Sequence, residues 1–337
     1  MKRFSYLKAR GVAEAAQALA ADPQAQIIAG GTNIVDLMKY DVTCPDTIID
    51  INGLDLGDIA VVEGSLRLGA LATNADTAYH EAVQSGWPLL SSAILAGASP
   101  QLRNAATNGG NMLQRTRCYY FYDPSTPCNK RRPGSGCGAL TGVNRIHAIL
   151  GTSESCIAVH PSDMAVSLAA LDAVVSVEGP DGQRDIAFED FHRLPGDHPE
   201  ADNTLKRGEI VTAITVPANQ FGQNHTYLKL RDRLSYAFAL VSVAAALKLD
   251  GDRIGTVQVA LGGVAHKPWR RKDVEAQFVG QPANRETFVA FASALTEGAK
   301  GYGQNDFKLD LAPRAIVRAL EQAAAGTPQS QIHKVVA

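Results

Sequence analysis

The stretch from residue 106 to residue 163 constrains this chain more than any other part of it. It opens with Thr107-Asn108-Gly109-Gly110-Asn111 and closes with His160-Pro161-Ser162-Asp163. Between them stand Cys118, Cys128, Cys137 and Cys156, four of the five cysteines in the chain. Gly, Pro, Asn and Ser surround these cysteines with no sustained helical or strand period, and a loop of that length in a compact domain is normally functional or disordered. Disorder is disfavoured by Cys118-Tyr119-Tyr120-Phe121-Tyr122, whose aromatic run needs burial. Something must order the loop, and four sulfurs can do so by holding a metal.

Residue chemistry leaves three arrangements open. Four thiolates can hold an iron–sulfur cluster, hold a tetrahedral zinc, or pair as disulfides in an oxidising compartment. Structural zinc commonly uses close CxxC pairs, because one turn then presents two sulfurs to a single small ion. Here nine, eight and eighteen residues separate consecutive cysteines, and no CxxC occurs. Such wide spacing suits a larger cubane reached from several directions. Arg115, Arg117, Lys130, Arg131 and Arg132 would offset the net negative charge of a thiolate-ligated cluster.

A second feature lies near the N-terminus. Residues 26–29 read as an apolar strand that runs into Gly30-Gly31-Thr32-Asn33 and then a helix over residues 34–39. Glycines let a backbone approach an anion closely, and the first free N–H groups of a helix point at it. The pattern is not GxGxxG and lacks the lysine of a Walker loop. A turn requiring positive φ explains a lone Gly-Gly pair equally well. The second pair, Gly109-Gly110, is also flanked by Thr and Asn, and a dinucleotide's pyrophosphate needs several donors at once. Two unrelated turns are the plain alternative.

The rest of the chain supplies a frame for these motifs. Strands are expected at residues 4–9 and 46–51, a helix at 12–21, and a hairpin over 59–62 and 66–70. Helices at 76–84 and 88–96 follow. Ser162-Asp163 opens a helix over 164–171, where either residue can serve as N-cap. A hairpin over 173–177 and 184–188 leads to an exposed loop at 193–207, a strand at 210–216 and a linker at 217–224. Beyond it come three antiparallel strands at 226–231, 240–249 and 256–262, then helices at 271–278, 285–297 and 312–323. Strands first and helices after make an α+β unit. The tail, residues 327–337, has no period and reads as extended, either loose or along a partner.

With 337 residues, 45% of them hydrophobic, the chain can bury a core large enough for two or three domains. A net charge of −2 with no long basic stripe excludes nucleic acid as the main partner. No apolar run approaches the roughly 20 residues of a spanning helix, so membrane insertion is not expected. Met1-Lys2-Arg3-Phe4-Ser5-Tyr6 carries charge with no apolar stretch behind it, so no signal peptide is expected. The chain should fold in the cytoplasm, and either remain there or reach the periplasm attached to a partner that carries an export signal.

These motifs together carry a resemblance. Ala29-Gly30-Gly31-Thr32-Asn33 with Leu37-Met38-Lys39, then Thr107-Asn108-Gly109-Gly110-Asn111, Pro161-Ser162-Asp163 and Tyr227-Leu228-Lys229-Leu230-Arg231 occur in a known order. It is the order found in the FAD-binding (medium) subunits of the molybdenum hydroxylases, the xanthine dehydrogenase family. The resemblance runs from the N-terminus to about residue 325. Most members pass from the second glycine motif to the Ser-Asp by a short loop, and here the cysteine segment is inserted. Through Gln114-Arg115-Thr116-Arg117-Cys118, Pro127-Cys128-Asn129-Lys130-Arg131 and Pro133-Gly134-Ser135-Gly136-Cys137 the chain most resembles the FAD/[4Fe–4S] subunits of bacterial periplasmic aldehyde oxidoreductases.

The resemblance implies an α+β fold with a two-part FAD-binding domain of the vanillyl-alcohol-oxidase/PCMH type. Subdomain 1 would span residues 1–57. Subdomain 2 would span 58–218, with the [4Fe–4S] loop inserted at about 114–160. A C-terminal α+β domain with a three-stranded antiparallel sheet plus helices would span 224–325, followed by an extended tail at 326–337. The implied cluster ligands are Cys118, Cys128, Cys137 and Cys156, with Cys44 an ordinary thiol. His160 is near enough in sequence to replace a sulfur, although a structural histidine beside proline is the simpler reading.

Carried over residue by residue, the flavin site falls on Ile27, Gly30, Gly31, Thr32, Asn33 and Ile34, on Thr107, Gly110 and Asn111, and on Asp163, a backbone stretch near Ile210, and Lys229. The glycines should cradle the pyrophosphate, and Lys229 and the strand of Ile210 should approach the isoalloxazine. The implied function is that of an oxidoreductase subunit carrying FAD and a [4Fe–4S] cluster in a heterotrimeric, molybdenum-dependent aldehyde oxidoreductase. Its partners would be a large molybdopterin-binding subunit and a small [2Fe–2S] subunit, with electrons leaving through FAD to an external acceptor. On this scheme no residue of the chain need be a general acid or base.

One departure bears on that acceptor. Tyr236 stands where NAD-using animal members carry an acidic residue, which points away from NAD and toward a quinone, a small redox protein or oxygen. Two rivals predict different behaviour. A self-contained FAD oxidase with a structural zinc loop would reduce its own flavin, with His147, His192 or His225 as base. A zinc-loop assembly module with degenerate glycine turns would be colourless.

Overall fold

The structure, a computed structural model, describes residues 1–219 and 221–331. Its first layer is a parallel sheet of β1 (Ser5–Lys8), β2 (Ala25–Ile28) and β3 (Thr47–Asp50) in the order β1-β3-β2. Parallel neighbours require crossovers. The first is the helix Val12–Ala21, which turns Ala15, Ala16 and Leu19 onto a small core with Ile49 and Ile51. The second contains the short helix Ile34–Lys39, placed just past the carboxyl end of β2.

An antiparallel sheet follows, made of β4 (Ile59–Val62), β5 (Ser65–Gly69), β6 (Val174–Gly179), β7 (Gly182–Ala187) and β8 (Ile210–Val216) in the order β4-β5-β8-β6-β7. Both hairpins expected from the turn residues form. β8 lies between them, pairing with β5 on one side and β6 on the other. The chain between β5 and β6 is therefore one long excursion that leaves and returns beside the same central strand.

The excursion carries the helices Pro88–Ala96 and Asp163–Ala170, whose buried faces join Leu66, Leu68, Val175 and Ile214 in the largest core. The single helix expected over residues 76–84 is instead two, Asn74–Tyr79 and Glu81–Gly86. His80 separates them with an extended backbone (ψ 131), and its Nδ1 accepts from the N–H of Ala82 at 3.3 Å. A side chain that accepts from a nearby backbone N–H can start a new helix where propensity alone would continue the old one.

The third sheet is antiparallel, β9 (His225–Leu230), β10 (Val241–Asp250) and β11 (Arg253–Gly262), in the order β11-β10-β9. β10 is buried continuously from Val241 to Leu247 because both of its faces are covered. Val241, Val243, Ala245 and Leu247 face the core built with the helices Arg285–Leu295 and Phe307–Ala324. Ala244 and Ala246 face the other way and join Tyr227 and Ala260 in the core of the excursion helices. The C-terminal sheet is thus sandwiched, and its small alanines let the helix Asp163–Ala170 approach closely.

The last helix begins at Phe307, not near residue 312, and runs through Pro313. Beyond it Gln329 N–H donates to Thr226 Oγ1 at 2.9 Å and Gln331 Nε2 to the carbonyl of Tyr227 at 2.9 Å, so the described part of the tail lies along its own chain. Residues 332–337 of the expected tail fall outside the described residues. No helix among the described residues is long and apolar enough to cross a membrane.

Candidate dinucleotide cleft and cysteine loop

The two glycine turns, distant in sequence, meet in space. β2 ends at Ile28, and Gly31 takes φ +71 to reverse the chain before Ile34. Gly30 packs so closely on the other segment that a Cβ there would lie 1.7 Å from the carbonyl oxygen of Ala105. Only a residue without a side chain fits. Asn33 precedes the helix without capping it. Its Oδ1 accepts from the N–H of Arg115 at 2.9 Å, while its buried Nδ2 makes no hydrogen bond of ordinary geometry among the described residues and has the Tyr122 hydroxyl beside it. An amide held by its oxygen, with its N–H groups not fully matched, can donate to an acceptor such as a phosphate oxygen.

The second turn works differently. Thr107 accepts from the N–H of Gly110 at 3.3 Å and so caps the short helix Asn108–Met112. Asn108 is fully buried and bonds to Thr77, to Asn74 and to the carbonyl of Gly69. Asn111 donates to Asn74 Oδ1 at 2.6 Å and accepts from Ser162 Oγ at 2.6 Å. Thr107 and Asn111 line the clefts and also make bonds within the protein. Those bonds hold the turn in place, and Gly110, whose N–H is taken by Thr107, lines both clefts.

Two clefts meet at this junction, and Thr32, Asn33 and Gly110 line both. The narrower, about 610 Å³, runs past Ile27, Gly30, Gly31, Ile34, Thr107 and Ile210. The wider, about 740 Å³, runs past Asn111, Asp163 and Lys229. Each residue expected at the flavin site therefore lines one cleft or the other. A molecule with two bulky ends and an anionic waist fits this hourglass, its waist at Thr32, Asn33 and Gly110. Ile210 sits with Ile27 in the narrower cleft, and Lys229 sits in the wider one.

The floor of the wider cleft is a buried polar triad. Lys229 Nζ donates to Asp163 Oδ2 at 2.7 Å, and Tyr227 OH donates to Asp163 Oδ1 at 2.7 Å. The Lys229 side chain is only 2% exposed. Burial, helped by the Asp163 charge, pushes the Tyr227 hydroxyl well above its ordinary value, so it remains a donor. Ser162 caps the helix by accepting from the N–H of Ala165 at 2.9 Å, which leaves Asp163 free for this role. Tyr227 was not anticipated, although alternation along a strand puts it on the same side as Lys229. At the mouth stand Tyr236, which is 58% exposed, together with Arg233, Ala237 and Phe238.

All four cysteines of the insertion line one small cavity, with Lys130, Asn129 and Phe121. Cys128 and Cys137 face each other across an antiparallel bridge. All are free thiols, so no disulfide forms. Burial pushes Cys118 up to about 12 and Cys156 up to about 11, so without a cation they stay protonated. Among the described residues no three His, Cys, Asp or Glu side chains are placed to hold a single metal ion. The four sulfurs nevertheless share one cavity, so the donor set for a thiolate-ligated group is gathered in one place.

The basic residues are less available than expected. Lys130 and Arg115 pair with Asp202, and Arg131 donates to the carbonyls of Tyr120 and Phe121. Residues 193–207, expected as an exposed loop, thus place a mostly buried carboxylate against the insertion. His160 does not join the sulfurs. Its Nε2 lies 3.1 Å from the carbonyl oxygen of Met112, which His192 Nε2 also approaches at 2.8 Å. His147 lies 3.0 Å from Cys118 Sγ, and His225 bonds the carbonyl of Gly222. The three histidines weighed as a base therefore stand in three separate places.

Comparison with known proteins matches this arrangement. The family described as FAD binding domain in molybdopterin dehydrogenase matches residues 2–219, and the CO dehydrogenase flavoprotein C-terminal domain matches residues 225–323. The chain is 51% identical over 327 residues to the aldehyde oxidoreductase FAD-binding subunit PaoB of Escherichia coli (strain K12), covering 96% of this chain and 99% of that one. It is 29% identical over 294 residues to the glyceraldehyde dehydrogenase medium chain of Sulfolobus acidocaldarius, covering 87% of each. The solved carbon monoxide dehydrogenase from Hydrogenophaga pseudoflava aligns at TM-score 0.75 and 26% identity, over 96% of this chain and 98% of that one. The hourglass cleft, the sandwiched third sheet and these matches place the chain in the family of FAD-binding subunits of the molybdopterin dehydrogenases.

Proposed function

We propose that this chain is the FAD- and [4Fe–4S]-carrying electron-transfer subunit of a heterotrimeric, molybdenum-dependent aldehyde oxidoreductase. The aldehyde is oxidised on a large molybdopterin-binding subunit, a small [2Fe–2S] subunit stands between it and this chain, and this chain delivers the electrons to an external acceptor. The observation that carries the reading is the hourglass cleft, whose waist is lined by Thr32, Gly110 and the buried amide of Asn33. The likeness to the Escherichia coli subunit over nearly the whole chain supports the aldehyde assignment.

Gly30, Gly31, Thr32, Asn33 and Gly110 hold the pyrophosphate of FAD. Ile27 and Ile210 wall one end of it, and Asp163 and Lys229 floor the other. The bound flavin supplies the two-electron redox chemistry that no side chain offers. Cys118, Cys128, Cys137 and Cys156 hold the [4Fe–4S] cluster, a donor set of four sulfurs around one cavity.

The test is to purify the complex anaerobically with its companion subunits and record its visible spectrum with iron and acid-labile sulfide analysis. Flavin together with iron and sulfide assigned to this chain is the expected result, and Cys118→Ser and Cys137→Ser should each lose that iron while Cys44→Ser keeps it. A colourless chain, zinc without sulfide, or iron indifferent to the cysteine changes would refute the reading.

A further inference from the structure

Resting on the reading that the four cysteines ligate an iron–sulfur core, we propose that His147 is a positioning residue for that core. It donates Nε2–H to the sulfur of Cys118 and thereby raises the core's reduction potential. His147 Nε2 lies 3.0 Å from Cys118 Sγ, and both side chains are buried. A metal-bound thiolate can only accept, so the ring carries its proton on Nε2 when the sulfur is ligated. Nδ1 makes no hydrogen bond of ordinary geometry among the described residues, and the Asn144 carbonyl interacts with the ring; it is the ligated sulfur, which can only accept, that selects the Nε2–H tautomer. No other side chain among the described residues hydrogen-bonds to a sulfur of the four. Backbone N–H groups approach two of the sulfurs, those of Phe121 and Tyr120 at Cys118 and that of Ala158, at 3.4 Å, at Cys156.

The donor is held from outside the cysteine turns. The N–H of His147 donates to the carbonyl of Asn144 at 2.9 Å. Its carbonyl accepts from Lys308 Nζ at 2.9 Å, and Lys308 also donates to the carbonyl of Gly263 at 2.7 Å. Lys308 is fully buried in the first turn of the helix Phe307–Ala324, so the C-terminal domain fixes where the imidazole stands. One-electron reduction of the core places more negative charge on its sulfurs. A fixed N–H donor favours that more negative form, which is why hydrogen bonds to sulfur tune cluster potentials.

The experiment is an EPR-monitored redox titration of the purified complex carrying His147→Leu or His147→Gln. The Leu variant should keep its iron and sulfide and become harder to reduce by about tenfold in the one-electron equilibrium, about 59 mV. The Gln variant, which retains an N–H donor, should fall nearer the parent. A Leu variant with full iron and an unchanged midpoint overturns the inference and leaves the cluster reading intact. If the Leu variant does not assemble, the parent decides. Its reduced core should couple to one solvent-exchangeable proton that ¹⁵N-histidine labelling assigns to an imidazole, and absence of that coupling overturns the inference. A parent complex with no iron and sulfide on this chain overturns the cluster reading and this inference together.

Discussion

Lys229 Nζ and Asp163 Oδ2 lie 2.7 Å apart and join β9 of the C-terminal sheet to the first residue of an excursion helix. Both side chains are nearly inaccessible, at 2% and 8% exposure. Breaking a buried pair by removing one partner leaves an uncompensated charge, which costs about 3–5 kcal/mol. Lys229→Met should therefore lower the unfolding free energy by about 3 kcal/mol and weaken flavin retention. The double variant with Asp163→Asn should cost less than the sum of the two single changes. Denaturant unfolding of the three variants checks the coupling, and additive costs would count against it.

Gly30→Ala and Gly31→Ala should differ. At Gly30 the new Cβ meets the backbone carbonyl of Ala105 at 1.7 Å, so the two turns must part. The flavin-to-protein absorbance ratio should then collapse. At Gly31 the strain comes from φ +71, a left-handed conformation that costs a non-glycine residue about 1–2 kcal/mol. That variant should retain more flavin than the first.

Asp202 gives a pH dependence whose sign can be worked out. Burial alone would raise its carboxyl, but the charges of Arg115, Lys130 and His266 outweigh it and bring the value down to about 2. A carboxylate with a folded value below its unfolded one adds stability that is complete above the unfolded value and is lost as pH falls through the folded one. The contribution, on the order of 2 kcal/mol, should disappear between about pH 4 and pH 2. Asp202→Asn should be less stable at neutral pH and should lose this part of the acid slope, as urea midpoints measured across that window would show.

Ser162→Ala removes the N-cap of the helix Asp163–Ala170 and the hydroxyl that donates to Asn111 at 2.6 Å. A lost cap costs about 1 kcal/mol, and the freed Asn111 oxygen adds to it. The melting temperature should fall by several degrees, and a wild-type melt would place the cap elsewhere.

Much of this arrangement was legible because local chemistry and tertiary demand agree. β2, Gly30-Gly31 and the helix Ile34–Lys39 appear where strand, turn and helix residues follow one another, and the three C-terminal strands follow from apolar runs bounded by turns. The misses share a cause, which is that long-range packing decided what local pattern could not. Asp163 was expected at the flavin site, but no local pattern indicates that its carboxylate meets Tyr227 and Lys229 from a segment far along the chain. Residues 193–207 looked solvated by composition, yet Asp202 finds Lys130 and Arg115. The last helix was expected to start at residue 312. The helix instead begins at Phe307, with Leu320, Ile316 and Ala312 packed on β10 and its neighbours. The convergence of the two glycine turns was signalled only by their matching Thr and Asn flanks.

The place of β8 bears on how the cysteine segment could be accommodated. Because β5 and β6 are pinned on either side of it, lengthening the chain between them changes no strand pairing in that sheet. For a tether whose ends are already fixed, each doubling in length costs only about 0.6 kcal/mol of closure entropy. The cysteine segment can thus be viewed as an accessory mounted on a bracket that was already rigid, and shortening it should leave the bracket standing.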